Sequence, residues 1–336
     1  MDLLPDKRSI PKQKLTDYHV LIFGESGIGK TSLASQFPNS LIALTETGTK
    51  AMSVHDVNVA KQARKENKLN WIVFMELVEQ FINKPHDFET FIIDTEDNLY
   101  SWCLEYITQK LGAHPGEKDD FGASWAELKK EFRKPHNMIK NNGYGLVSVS
   151  HAQYKEVEDL KGKKRDKLIP SVGGSSAEYL INDSDIVVLY DMNREDERIL
   201  RLEPTKDFTA KQRISTLEQT DIPAGNSAEE AFSNFKAHFD KAIEELNEKE
   251  NVTEEMIEEH YRQREQEKKM QEKSKITSKI VSECKNLGMK KSENSNVIED
   301  IYGVNSVREL TYEQAEDYLQ RVESWEDRED YEQHLN

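Results

Sequence analysis

Eight residues carry the most specific chemistry in this chain: Gly24-Glu25-Ser26-Gly27-Ile28-Gly29-Lys30-Thr31, which fit the spacing G-x-x-x-x-G-K-[ST]. Glycines at these positions let successive backbone N–H groups turn inward as an anion nest. A helix starting near Lys30 adds its positive end. Lys30 is expected on the β- and γ-phosphates of a nucleotide, with the Thr31 hydroxyl on Mg²⁺ and Ser32 completing the cradle. A second acidic position follows about sixty residues on. Phe91-Ile92-Ile93-Asp94 is an apolar strand ending in a carboxylate, and Asp94 is expected to hold the magnesium through water. Asn83-Lys84-Pro85-His86 lacks the Asp of a guanine-specificity motif and precedes the Asp94 strand, so ATP is the expected nucleotide.

These residues need a frame. Up to about residue 222, β-like runs at His19–Phe23, Ser40–Leu44, Thr90–Asp94, Gly145–Ser150, Asp185–Tyr190 and Ile199–Glu203 alternate with helix-like stretches. Several are continuous apolar runs, as in buried parallel strands, so an α/β fold with a mostly parallel sheet between helices is expected. Residues 226–273 are rich in Glu, Lys and Gln and read as a charged helical linker. At 274–325 a small all-α module is expected. Ile276, Ile280, Cys284 and Leu287 recur at helical spacing before Gly288, and a short helix ends at Gly303. Thr311 and Gln314 form a capping-box pattern ahead of a face made by Ala315, Tyr318, Leu319 and Val322. Residues 326–336 read as an acidic tail. Hydrophobic residues make up 36% and charged residues 32%, with no apolar run of membrane-spanning length. The N-terminal stretch lacks a signal-peptide pattern and the two cysteines give no disulfide framework, so a cytoplasmic location without membrane contact is expected. A formal net charge of −17 excludes nucleic-acid binding through the whole surface and requires a local basic patch.

Three further motifs carry a resemblance. Thr45-Glu46-Thr47-Gly48 follows the second strand, Asp119-Asp120-Phe121-Gly122 precedes Trp125, and Ala210-Lys211-Gln212-Arg213 follows the last strand. With the phosphate loop, they make residues 17–222 similar to the minimal RecA-like P-loop NTPase core of phage recombination proteins, the Sak-type single-strand annealing family. The short segment between Thr31 and Ser40 departs from RecA, which has a full helix there. The resemblance implies a strand-end Glu that activates water. Glu46 fits, and Glu96 is its rival. It implies a γ-phosphate sensor at the end of Leu146–Ser150, where His151 stands. It places a DNA-binding loop at Lys161, Lys163, Lys164, Arg165 and Lys167, in the slot of the second DNA loop. His114–Trp125 occupies the slot of the first DNA loop, with Phe121 and Trp125 expected to face the core. Lys211 and Arg213 match a K-x-R pair that reaches the ATP of a neighbouring subunit, implying a homo-oligomer. Leu310–Ala315 resembles tails of phage single-strand-binding and annealing proteins, so a single-strand-binding protein is a further expected partner.

The expected function is therefore an ATPase using ATP and Mg²⁺ that binds single-stranded DNA in phage recombination, annealing or repair. Two other readings fit fewer features. A replication helicase or helicase loader shares the core, although DnaB-type helicases carry a collar domain ahead of it. An ATP-gated protein-interaction module would use the acidic C-terminal half and bind no DNA.

Overall fold

The computed structural model describes residues 8–46, 49, 51–117, 120–158, 162–218, 220–326, 329–332 and 334. Two units divide after Asn251. In the first, the elements run β1 (His19–Gly24), α1 (Lys30–Ala34), β2 (Ser40–Leu44), β3 (His55–Asn58), α2 (Val59–Glu66), α3 (Asn70–Asn83), β4 (Thr90–Asp94), α4 (Glu96–Leu111) and α5 (Ala123–Asn141). They continue β5 (Gly145–Glu158), β6 (Lys164–Pro170), α6 (Ser176–Asp183), β7 (Ile186–Met192), β8 (Arg198–Arg201), β9 (Lys211–Gln212), β10 (Asp221–Pro223) and α7 (Ala228–Glu250).

The sheet order is β10-β8-β7-β1-β5-β4-β2-β3, with β6 on β5 and β9 on β7. The central strands are parallel, and β5 separates β1 from β4. Their register sets Gly24 beside His151 and Leu44 beside Asp94, so the strand ends carrying the polar motifs share one edge. Strand residues alternate between faces. Leu21 and Phe23 join Phe91 and Ile93 in a core covered by α2 to α6, whereas Val20 and Ile22 join Ile42 and Ile92 beneath α1 and α7. Burial on both faces accounts for the continuous apolar runs. The expected α/β fold with a mostly parallel sheet between helices is observed.

The charged linker divides differently from expectation. Phe232, Phe235, Phe239 and Ile243 form a helical stripe on α7 that packs on the sheet, with Phe239 edge-on to Tyr18 at 5.3 Å between ring centroids and Phe232 against Phe37 at 5.2 Å. The stripe holds α7 to the first unit despite its many charges. The next helix starts anew at Thr253, whose side chain accepts the Met256 N–H.

The second unit contains α8 (Glu254–Asn286), α9 (Lys291–Tyr302), α10 (Tyr312–Ser324) and α11 (Glu329–Glu332). Ile280, Cys284, Val297, Ile298, Ala315, Tyr318 and Val322 make its core. Gly303 ends α9 in the left-handed region, and Thr311 and Gln314 form the capping box of α10. The expected acidic tail is partly built in: Tyr331 on α11 is buried in this core. Asp327, Arg328, Gln333, Leu335 and Asn336 lie outside the described residues. Among the described residues, no helix is long and apolar enough to cross a membrane.

Candidate nucleotide site

β1 ends at Gly24 because nothing larger fits: a Cβ there would stand 2.3 Å from the Tyr190 carbonyl oxygen. The chain then turns through Gly27 and Gly29, at φ of 83° and 115°, and enters α1. Gly27 and Gly29 occupy backbone conformations that side chains resist, which explains the glycine spacing. Glu25, Ser26 and Gly27 form an exposed rim, while Ile28 is buried under the loop. Thr31 and Ser32 are half-buried in the first turn of α1.

Lys30 is 6% exposed, and its Nζ donates to the Gly24 and Glu25 carbonyls at 3.0 and 2.8 Å. Burial lowers its pKa, while Asp94, Asp97, Glu46 and Glu25 counter that shift. The Thr31 hydroxyl donates to Asp94 Oδ2 at 2.7 Å. Burial raises the Asp94 pKa, and the Thr31 hydrogen bond works against it. Asp94 Oδ1 is buried without a hydrogen-bond partner. A hydroxyl beside a carboxylate with one unsatisfied oxygen is a hard-oxygen donor set that fits Mg²⁺.

Thr45 fixes the spacing between the ends of β2 and β4. Its N–H donates to the Asp94 carbonyl at 2.8 Å, and its hydroxyl accepts the Thr95 N–H at 2.7 Å. The Asp94–Thr95 peptide is cis. Glu46 follows Thr45, and its Oε1 lies 3.3 Å from His151 Nε2. The two rivals for water activation differ in access. Glu46 has a side chain 41% exposed at the phosphate edge. Glu96 is fully buried beneath α5, facing His136 Nε2 at 2.9 Å and accepting the Ser148 hydroxyl. Only Glu46 is open to a water molecule. Thr47 and Gly48 lie outside the described residues.

The family described as "AAA domain" matches residues 16–214, more than half of the 336 in the chain. This chain belongs to that family. Among solved structures, it is similar to the KaiC-like protein PH0186 from the hyperthermophilic archaeon Pyrococcus horikoshii OT3. That likeness covers 62% of this chain and 85% of that one, at 12% identity and a TM-score of 0.32. No curated protein matches the chain. The AAA-domain core is a P-loop ATPase fold, with the phosphate loop, Asp94, Glu46 and His151 on one edge of its sheet.

Three expectations are revised in this AAA-domain core. Lys211 and Arg213 are committed within their own chain. Lys211 Nζ donates to the carbonyls of Ile181, Asn182 and Ser184 at 2.9, 2.7 and 2.7 Å, using all three of its donors. Arg213 pairs with Asp185 at 3.0 Å and donates to the Asn182 carbonyl. Together they cap the C-terminus of α6, whose last carbonyls attract cations. Their strand pairs with the first residues of β7, at the opposite edge of the sheet from the phosphate loop.

The basic segment is mostly strand rather than loop. β5 continues past His151 and forms a hairpin with β6, which begins at Lys164. Lys161 lies outside the described residues, and Lys163 is exposed at the turn. Cross-strand pairing sorts the charges by face. One face carries Lys155 opposite Lys167 and Val157 opposite Arg165, whereas the other carries Glu156 opposite Asp166 and Glu158 opposite Lys164. Lys164 is paired with Glu156 at 2.8 Å.

Phe121 does not face the core. It is fully exposed, with φ of 53°, and Trp125 is 42% exposed. Asp120 causes this by accepting the N–H groups of Gly122 and Ser124, which starts α5 and turns Phe121 outward.

Proposed function

We propose that this chain hydrolyses ATP and binds single-stranded DNA, in phage recombination, annealing or repair. Lys30 would hold the β- and γ-phosphates, Thr31 and Asp94 the Mg²⁺, and Glu46 would orient and deprotonate the attacking water. Bound magnesium supplies positive charge that stabilises the transferring phosphoryl group. His151, whose ring lies against Glu46, would donate to a phosphate oxygen.

The observation that carries the DNA reading is the hairpin face. Lys155 and Lys167 stand directly opposite each other with Arg165 one pair further along, and no acid shares those positions. Like charges opposed across a ladder oppose pairing by several tenths of a kcal/mol, on the order of the 0.2–1 kcal/mol typical of cross-strand pairs. A phosphate backbone lying along that face relieves the conflict. Phe121 offers a stacking face to an unpaired base.

The test is a salt titration of single- and double-stranded oligonucleotide binding, with and without ATP. Each phosphate contact on a single strand contributes a log–log slope of about −0.7. Replacing Lys155, Arg165 and Lys167 by Ala is expected to flatten the slope by about 2. Lys164→Ala, on the neutralised face, is expected to leave it unchanged. An unaltered slope in the triple variant, or tighter binding to duplex, rules the reading out.

A further inference from the structure

Asp97 lies in the first turn of α4, three residues beyond Asp94. Its carboxylate bonds outward, to the strand pair beside it. Oδ2 accepts the His151 N–H at 3.1 Å, and Oδ1 accepts the hydroxyls of Ser150, at 3.3 Å, and of Ser171. The His151 carbonyl in turn accepts the Ser171 N–H at 2.9 Å. The need for such an acceptor follows from the ladder. β4 stops at Asp94, opposite Val149, and β6 takes up pairing only at Ala152, so between them β5 lacks a strand partner on that edge. An unpaired N–H there is costly unless another group accepts it.

The three donors sit at the base of the hairpin, on both of its arms: Ser150 and His151 on β5, and Ser171 immediately after β6. The His151 ring contacts Glu46, while its backbone is held between Asp97 and Ser171. From His151, β5 runs on without a break to Lys155, four residues or roughly 13 Å away at strand rise.

We propose that Asp97 is a positioning residue that locks the phosphate-facing end of β5 to the base of the basic hairpin, so that a change of ligand at the phosphate loop is transmitted to the hairpin. This deepens the function proposed above and rests on it. Nucleotide binding then shifts the hairpin between a held and a looser arrangement, and nucleic acid on the hairpin shifts nucleotide affinity by the same factor. Asp97 is not the cap of its own helix, because Thr95 holds that position. A role limited to stabilising α4 predicts a lower melting temperature and no effect on transmission.

The test is amide hydrogen exchange on the full chain, wild type and Asp97→Asn, with and without saturating magnesium and ATPγS. In the wild type, the ratio of exchange rates across 151–171 between the nucleotide-free and nucleotide-bound states is expected to exceed one. In Asp97→Asn it is expected to fall to one, while the amides of 24–34 remain protected by nucleotide. Ser171→Ala removes one donor without touching α4 and is expected to lower the ratio part-way, which keeps the test open if Asp97→Asn fails to fold. A wild-type response retained in both variants overturns the proposal, as does a wild-type hairpin indifferent to nucleotide. Because this readout contains no DNA, loss of oligonucleotide binding alongside an intact nucleotide response would refute the DNA reading and leave the transmission standing.

Discussion

Glu46→Gln and Glu96→Gln make the same chemical change to two carboxylates in opposite surroundings, and their expected phenotypes are opposite. Glu96 is fully buried, with His136 Nε2 at 2.9 and 3.1 Å from its two oxygens and the Ser148 hydroxyl donating to it. An amide keeps one acceptor oxygen and puts an NH₂ group where the second carboxylate oxygen stood. Hydrogen bonds to charged groups contribute about 1.5–3 kcal/mol. In a unit of this size each kcal/mol moves the melting temperature by about 2–4 °C, so Glu96→Gln is expected to melt roughly 5–10 °C lower. Glu46 is partly exposed and its ion-pair contact is His151. Its amide is expected to change stability by no more than about 0.5 kcal/mol. Losing the group that deprotonates the attacking water, however, lowers turnover by about 10²–10⁴-fold. Single-turnover ATP hydrolysis and thermal melts on both variants separate the two effects. Full turnover in Glu46→Gln, with hydrolysis abolished and melting unchanged in Glu96→Gln, would refute the assignment.

Lys30→Ala is expected to abolish hydrolysis and weaken ATP binding while circular dichroism stays that of the wild type; wild-type turnover in this variant would exclude the phosphate role. Phe239→Ala is expected to cost about 3–5 kcal/mol in chemical denaturation, because the side chain is fully buried between α7 and the sheet. Stability is also expected to fall as pH drops below about 6.5, the unfolded histidine value. Burial lowers the His19 pKa, so the unfolded chain takes up a proton there that the folded chain refuses. The limiting slope is about 1.4 kcal/mol per pH unit, and melts of His19→Gln from pH 7 to 5 should lose that component.

The phosphate loop and Asp94 were legible because their signals are local: glycines at forced φ values, a lysine at a helix start, and apolar strands ending in polar residues. The doubly buried strands announced the parallel sheet for the same reason. What escaped depended on partners distant in sequence. The polar extension of β5 has no apolar alternation, and only its pairing with β6 shows that Lys155 shares a face with Arg165 and Lys167. Lys211 and Arg213 match the K-x-R spacing, but the carbonyls they meet belong to α6, some thirty residues earlier. The Phe232, Phe235 and Phe239 stripe of α7 was present in the sequence, hidden within a strongly charged composition. Nothing in the sequence around Phe121 marks it as exposed; the turn made by Asp120 does that.

The seating of α7 decides where this protein can be cut. A fragment ending near Gly225, where the composition changes, would keep every residue of the nucleotide site and still uncover the sheet face formed by Val20, Ile22, Ile42 and Ile92. Such a fragment is expected to express as insoluble or self-associating material, since a bare apolar sheet face recruits other chains. Ending at Asn251 keeps that face covered and cuts between two helices. Preparations of the ATPase unit alone should therefore be bounded by the phenylalanine stripe rather than by the last strand.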